Sequence, residues 1–472
     1  MQPTSHDFIA RANKGLADDI LQQALARFQT GFTVKRTEAA ARLPEFEALR
    51  DQAVEIKNHT LEHLDFYLER FADKVEQSGG EVHWCVTPDE ARQTVLDICR
   101  AAGAKTVTKS KSMIGEEIAL NPFLEDNDIE PVETDLGEYI VQLAEEYPSH
   151  IIAPAVHKTK DQIADLFYER HKGRGAEKKL HEVDELVAEA RAMLRQRFIA
   201  ADVGITGANF LISETGTTAI VTNEGNGDLT QILPRVHIVL ATLEKAVPTL
   251  DDMSTILRVL ARSATGQEFS TYTTLSTGPK RPGDLDGPEA FHVILLDNGR
   301  SRMLGSEFRD LLRCIKCGAC MNHCPVYGSI GGHAYGWVYP GPVGAVLTPH
   351  LVGLKEAHHL PNASTFCGRC EEVCPMRIPL PGLMRRWRQQ EFDAGLQPAR
   401  QRFGLALWAW LARRPASYRL ASALTMRALR LFGARRGRLA KLPFADGWTA
   451  GRDMPAPEGG SFHSQWRRRR GA

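Results

Sequence analysis

Apolar positions recur at helical spacing over Leu16–Phe28 and Phe46–Val75, with Leu61, Leu64, Tyr67, Leu68 and Phe71 on one side. Residues 1–78 therefore read as a helical arm or lid, closed by Ser78-Gly79-Gly80. The period then changes. Glu81–Val86, Thr106–Thr108, Ile151–Ala153, Phe210–Ile212, Thr218–Val221, Val236–Leu240 and His292–Leu296 are short apolar or β-branched runs that predict strands. Pro88–Ala102 and Ala176–Phe198 read as helices between them. Alternation of this kind over 79–300 predicts an α/β domain with a largely parallel or mixed sheet. In 301–385, Gly305–Arg313 and the apolar Val343–Leu354 predict helices among glycine- and proline-rich connections. From 386 onward Phe403–Trp410 and Leu420–Leu431 predict amphipathic helices with arginine faces, and Pro443–Gly460 an extended segment.

Two cysteine runs dominate the chemistry. Cys314-Ile315-Lys316-Cys317-Gly318-Ala319-Cys320-Met321-Asn322-His323-Cys324-Pro325 has the spacing C-x2-C-x2-C-x3-C-P. Thiolates three residues apart on a tight turn converge on one iron–sulfur cube, and the fourth, before a turning proline, reaches a second. A zinc site needs only four ligands, normally in two separated pairs. Cys367-Gly368-Arg369-Cys370-Glu371-Glu372-Val373-Cys374-Pro375 repeats the last three cysteines, but Ser364 stands where the first would be. The crossed pattern of two-cluster ferredoxins assigns Cys314, Cys317, Cys320 and Cys374 to one cluster and Cys324, Cys367 and Cys370 to the other. The remaining corner of the second is left to Ser364, water, another side chain such as one of His323, His333, His350, His358 and His359, or nothing, as in a three-iron cluster. The long helical insertion between the runs resembles the cluster domains of respiratory dehydrogenase iron–sulfur subunits.

Composition narrows the field. At 43% hydrophobic and 25% charged, the 472 residues fit two or three globular domains and exclude disorder. Seven of nine cysteines lie in the two runs rather than scattered, which points to a reducing cytoplasm; Cys85 and Cys99 read as buried hydrophobes. No leader pattern opens the chain, and the apolar run at Phe403–Ala412 falls short of the roughly 20 residues a spanning helix needs. The net charge is zero, yet Arg385 onward holds 19 Lys/Arg against 5 Asp/Glu, with Trp387, Trp408, Trp410, Trp448 and Trp466. Such a tail suits an acidic partner subunit or, peripherally, an anionic membrane surface; no nucleic-acid motif accompanies it.

Several loops carry unusual side chains. Lys109-Ser110-Lys111-Ser112 follows a strand and opens a helix, an arrangement suited to an anion. Asp135, in Glu133-Thr134-Asp135-Leu136-Gly137-Glu138, reads as an N-cap. Glu214 and Glu224 lie on glycine-containing turns at the two ends of one strand, where open sheets bind ligands, although polar turns need such residues anyway. His157 follows another apolar run.

Together with Met113, Pro148-Ser149-His150, Glu214-Thr215-Gly216-Thr217, Thr222-Asn223-Glu224-Gly225-Asn226, the two cysteine runs, Gly447-Trp448-Thr449 and Ser461-Phe462, these loops resemble the LUD-domain iron–sulfur proteins of the lactate utilisation protein B family, over nearly the whole chain. The resemblance implies a LUD α/β domain folded like sugar-phosphate isomerases and CoA transferases, a ferredoxin-type two-cluster helical domain, and a helical and extended tail. It implies two 4Fe–4S clusters, with Ser364 consistent with a three-cysteine second site. It also implies oxidation of L-lactate to pyruvate with two partners, a cysteine-rich-domain subunit and a second LUD protein. No G-x-G-x-x-G follows a strand, so no nicotinamide or flavin site is read. The leading expectation is an electron-transfer subunit. The alternatives are a LUD cleft that itself acts on the hydroxy acid, with Lys109, Lys111, His157, Glu214 and Glu224 as candidates, and a redox-sensing regulator.

Overall fold

The computed structural model describes the chain except residues 1–2, 173–177, 434–435, 443–448, 450, 459 and 472, and the side chains of Phe28 and Gln29. Two compact units divide it, Met1–Gln390 and Glu391–Ala472.

The larger unit is built on six parallel strands: β1 (Glu81–Cys85), β2 (Thr106–Ser110), β3 (Glu130–Glu133), β4 (Val203–Gly207), β7 (Val236–Thr242) and β10 (Ala290–Leu296). Their spatial order is β1-β10-β7-β4-β2-β3. Strands covered on both faces must be apolar almost throughout, and Val236–Thr242 is buried at every position but its first. A second sheet, in the order β8-β5-β6-β9, joins β5 (Phe210–Ile212), β6 (Thr217–Thr222), β8 (Ala246–Val247) and β9 (Tyr272–Ser276). The parallel α/β reading thus holds. Ile151–Ala153, predicted as a strand, forms bends instead. The Nδ1 atom of His150 accepts from the backbone N–H groups of Ile152 and Ala153, each at 3.2 Å, so a side chain takes bonds a ladder would have used. The predicted helix Ala176–Phe198 begins at Val183, and its first two residues lie outside the described set.

Four helices, Phe8–Ala17, Asp19–Ala41, Phe46–Glu62 and Leu64–Gln77, precede the first sheet. The periodic stretch from Phe46 breaks at His63, which leaves helical dihedrals with φ −122° and ψ 39°. Leu61, Leu64, Leu68, Phe71 and Val75 are buried as their spacing predicts, in one apolar core that also includes Phe210, Leu257, Leu311 and Tyr335. Far from hanging free, this arm grips the second cysteine run: Arg50 Nη2 donates to the carbonyls of Glu372 (2.9 Å) and Cys374 (2.7 Å), and Arg36 Nη2 to that of Val373 (2.9 Å).

Between the runs lies the buried helix Gly341–Val352, whose Val346 carbonyl accepts from Trp387 Nε1 at 2.9 Å. Of the predicted helix Gly305–Arg313 only Arg309–Arg313 is helical, as a 3-10 turn; an α-helical turn, Arg300–Leu304, ends just before it.

The smaller unit has helices Ala399–Ala412, Pro415–Gly433 and Phe462–Arg469 and a two-residue ladder between β11 (Arg438–Leu439) and β12 (Met454–Pro455). Its helices bury almost nothing: Phe403, Trp408, Trp410, Leu431 and Phe432 are exposed. Of Pro443–Gly460, residues 443–448, 450 and 459 lie outside the described residues, among them Gly447 and Trp448; within the rest Met454–Pro455 is the extended strand β12. Among the described residues no helix is long and apolar enough to cross a membrane.

Candidate iron–sulfur sites and the neighbouring cavity

The two cysteine runs fold alike. In each, the residue before a cysteine and the glycine after it take left-handed backbone: Lys316 (φ 57°) and Gly318 (φ 74°) in the first, Phe366 (φ 53°) and Gly368 (φ 81°) in the second. Glycine adopts that conformation freely, and here it starts the short helices that carry Cys320 and Cys370. The chain then folds back so that Cys314, Cys317, Cys320 and Cys374 line one cavity, while Cys324, Cys367 and Cys370 line another together with Ser364. The N–H of Lys316 donates to Cys314 Sγ at 3.4 Å, and the N–H of Phe366 donates to Ser364 Oγ at 3.1 Å. Ser364 Oγ thus occupies in the second turn the place Cys314 Sγ occupies in the first. None of the five nearby histidines lines the second cavity: His323 bonds the Ala319 carbonyl, His333 that of Tyr147, His350 packs on Phe308 and Trp387, and the His359 ring lies against those of His358 and Phe8.

The donor chemistry fits iron–sulfur clusters. Burial pushes the Cys370 thiol up to about 12 and Cys374 to about 11, and it raises Cys317, Cys320 and Cys324 as well, with neighbouring cysteines adding to the effect. Thiols grouped this way carry negative charge only when iron is there to take it. Cys367, exposed and bonded by the Arg369 N–H, is lowered. By contrast Cys85 and Cys99 are buried in apolar surroundings away from both runs, Cys99 raised by burial to about 12.

The Pro148-Ser149-His150 loop seats the first run on the α/β domain. His150 Nδ1 is an acceptor, so its Nε2–H donates to Asn322 Oδ1 (2.9 Å), and Asn322 Nδ2 donates to the Ala264 carbonyl (3.0 Å). Burial holds His150 neutral, its value lowered to about 3. Tyr327 OH donates to the Ser149 carbonyl at 2.8 Å. A Cβ on Gly332 would stand 1.7 Å from that same oxygen, so only glycine fits there.

Parallel strands all end on one edge of their sheet, where α/β proteins bind ligands. There a cavity of about 160 Å³ is lined by Lys111 after β2, Ala208 and Asn209 after β4, Lys245 after β7, and Lys316, Cys317 and Tyr339 of the cluster region. Lys316 and Cys317 also line the first cysteine cavity, so the two spaces share a wall. Beneath them lies a buried ion network. Arg300 forks onto Glu117 (2.9 and 2.7 Å) and reaches Glu244 with Nε (3.2 Å); Asn298 (2.6 Å) and Tyr339 OH (2.5 Å) also donate to Glu117. Burial alone would raise both carboxyls. Arg300 outweighs it, holding Glu117 below the usual range and, with Lys316 and Lys245, Glu244 at about 2.

Of the candidates read from the loops, the structure brings only Lys111 and Glu224 together. Lys109 lies outside the cavity, buried and ion-paired to Glu116 (2.8 Å) and Glu133 (2.7 Å). Lys111 lines the cavity and pairs with Asp135 at 3.3 Å, while Asp135 also caps its helix through Gly137 and Glu138. His157 is held between Ser149 Oγ (2.8 Å) and Glu146 (2.7 Å). Glu214 accepts from the Leu250 N–H at 2.7 Å, whereas Glu224 lies beside Asn226 and against Asp135 and Lys111, its carboxyl raised by burial and by Asp135. Lys245, Lys316 and Tyr339 were not among them.

A LUD-type α/β domain joined to a two-run iron–sulfur domain and a basic helical tail defines the class. Matching family models give the same parts: LUD domain over residues 68–296, 4Fe-4S dicluster domain over 310–378, and lactate utilisation protein B, C-terminal, over 391–471. Lactate utilization protein B of Bacillus licheniformis is 42% identical over 100% of this chain and 98% of its own length, and that of Bacillus subtilis 168 is 42% identical over 96% and 95%. Uncharacterized electron transport protein YkgF of Escherichia coli K12 is 39% identical over 99% and 98%. A solved DUF162 family structure from Deinococcus radiodurans, 14% identical over 49% of this chain and 98% of its own at a TM-score of 0.29, is too remote to carry an argument. The chain belongs to the lactate utilization protein B family, and it is an iron–sulfur protein of lactate utilisation.

Proposed function

We propose that the chain is the electron-transfer subunit of a complex that oxidises L-lactate to pyruvate. The observation that carries this reading is the pair of adjacent cysteine cavities, the first sharing a wall with a cavity at the ligand-binding edge of the α/β sheet. Cys314, Cys317, Cys320 and Cys374 would hold one 4Fe–4S cluster. Cys324, Cys367 and Cys370 would hold the second, with Ser364 Oγ as its fourth corner. Bound clusters supply one-electron steps, which suits division of a two-electron oxidation. The protein's own part is to desolvate the thiolates and fix their spacing. Its exposed, basic, tryptophan-bearing tail supplies a docking surface for two partner subunits, a cysteine-rich-domain protein and a second LUD protein. Work in the cytoplasm, at most peripheral to the membrane, accords with this.

The test is anaerobic EPR of the purified chain. Dithionite should reduce it and L-lactate should not; addition of the partner subunits should let L-lactate reduce the clusters. Rapid reduction by lactate of the chain alone would move the chemistry into its own cavity and overturn the division of labour.

A further inference from the structure

The cavity beside the first cysteine run has a one-sided charge. Lys111, Lys245 and Lys316 line it, and among the described residues no aspartate or glutamate does. Lys111 is already paired with Asp135, and the buried carboxylates nearby, Glu117 and Glu244, are engaged by Arg300. Lys245 is nine-tenths buried, yet among the described residues its ammonium meets neither a carboxylate within ion-pair reach nor a hydrogen-bond acceptor. Lys316 lies over the Tyr339 ring, 4.5 Å from its centre, again with no carboxylate in reach. Both lysines, one buried and one half-buried, feel the charge of Glu244, yet that carboxylate is taken by Arg300 and makes no direct ion pair with either among the described residues; the cavity is the space from which a further anion can reach both. The opposite wall is apolar, with Ile151, Ile220 and Leu260. At about 160 Å³, on the order of five water volumes, the space has room for a small molecule.

We propose that this cavity binds a small carboxylate, a 2-hydroxy or 2-oxo acid, with its carboxylate on Lys245 and Lys316 and its carbon skeleton against the isoleucine wall, beside Cys317. Asn209 also lines the cavity; its Oδ1 accepts from the Val221 N–H, which leaves its Nδ2 to donate to the 2-oxygen. The choice of a 2-oxygenated acid rests on the lactate reading above, whereas the preference for a small anion with an apolar body rests on the lysines and apolar side chains that line the cavity. A rival account has the two lysines do no more than balance the charge of cluster-bound thiolates.

The experiment is anaerobic isothermal titration of the full, cluster-loaded chain with L-lactate, pyruvate and inorganic phosphate. One molecule of L-lactate or pyruvate should bind per chain. Lys245→Met and Lys316→Met should each weaken binding at least about tenfold. Ala264→Leu adds bulk at an uncharged lining position, leaves both lysines in the sequence, and should abolish binding while iron content stays at the wild-type level. It keeps the test decisive should a lysine variant fail to fold. The proposal is overturned if the wild type takes up neither acid at millimolar concentration, or if phosphate binds more tightly than both. It is equally overturned if the lysine variants shift the cluster potential but bind the acids like wild type. Uptake of the acids without cluster reduction in the assembled complex would sink only the electron-transfer reading; reduction without uptake by this chain would sink only this inference.

Discussion

Replacing Arg300 by Met tests the ion network under the cavity. Arg300 is buried and is the only guanidinium, among the described residues, that contacts both Glu117 and Glu244. Removing one partner of a buried pair typically costs about 3–5 kcal/mol, because the abandoned charge stays desolvated. Here Glu117 keeps donors from Asn298 and Tyr339, and Glu244 keeps the field of Lys245 and Lys316, so the lower figure of about 3 kcal/mol applies. For a chain this long that is a fall in melting temperature of roughly 3–4 °C. The pH dependence carries the sign. In the wild type both carboxyls are depressed, so their stabilisation is complete above the ordinary carboxylate range and is lost as pH falls toward about 2, where Glu244 protonates. In Arg300→Met the remaining donors and lysines offset burial only in part, so both carboxyls move up, and the penalty is greatest at neutral pH and shrinks as they protonate. Anaerobic scanning fluorimetry between pH 8 and pH 5 should therefore show a gap between the two proteins that narrows toward the acid end. Equal melting temperatures, or a gap that does not change with pH, would refute the reasoning.

Cys374→Ala should remove the cluster of the first run and leave the second, whereas Cys324→Ala should do the reverse; iron content and EPR decide, and loss of each residue's own-run cluster would reject the crossed arrangement. Ser364→Cys should give a second cluster more resistant to oxygen than wild type and Ser364→Ala one less resistant, read by loss of visible absorbance in air; identical decay in all three would remove Ser364 from the site. Truncation after Gln390 cuts between the two compact units, so iron content should be unchanged while partner subunits no longer co-purify; normal co-purification would show that docking lies elsewhere.

What was legible in the sequence depended on how local its cause was. Cysteine spacing, the N-cap at Asp135 and the periodic burial of Leu61 to Val75 are set within a turn or two, and each could be read in advance. Lys245 could not. It follows Glu244 in a charged turn that looks like solvent-facing punctuation, and only the central place of β7 in the sheet buries it. Lys316 stands between two cysteines, a place that the cluster spacing leaves open to any residue. Lys109 misled in the other direction, since its partners Glu116 and Glu133 come from a helix and the next strand and neutralise it inside the protein. Ile151–Ala153 has a strand's composition, but His150, just before it, had already taken the backbone.

The grip of the N-terminal helices on the second cysteine run sets an order of events during synthesis. Arg36 and Arg50 leave the ribosome first, yet the carbonyls they hold belong to Glu372, Val373 and Cys374. The first cysteine cavity lacks a wall until Cys374 emerges, 60 residues after Cys314. At about 5–20 residues per second that is an interval of roughly 3–12 s. During it four thiols wait unclosed while the α/β domain behind them can already fold. Iron that arrives early meets an incomplete set of ligands, and oxygen meets bare sulfur. Closure of the arm is thus a late, long-range event that converts a nascent, oxidisable chain into a finished one. The cell's supply of iron and sulfide has to match that moment rather than the start of translation.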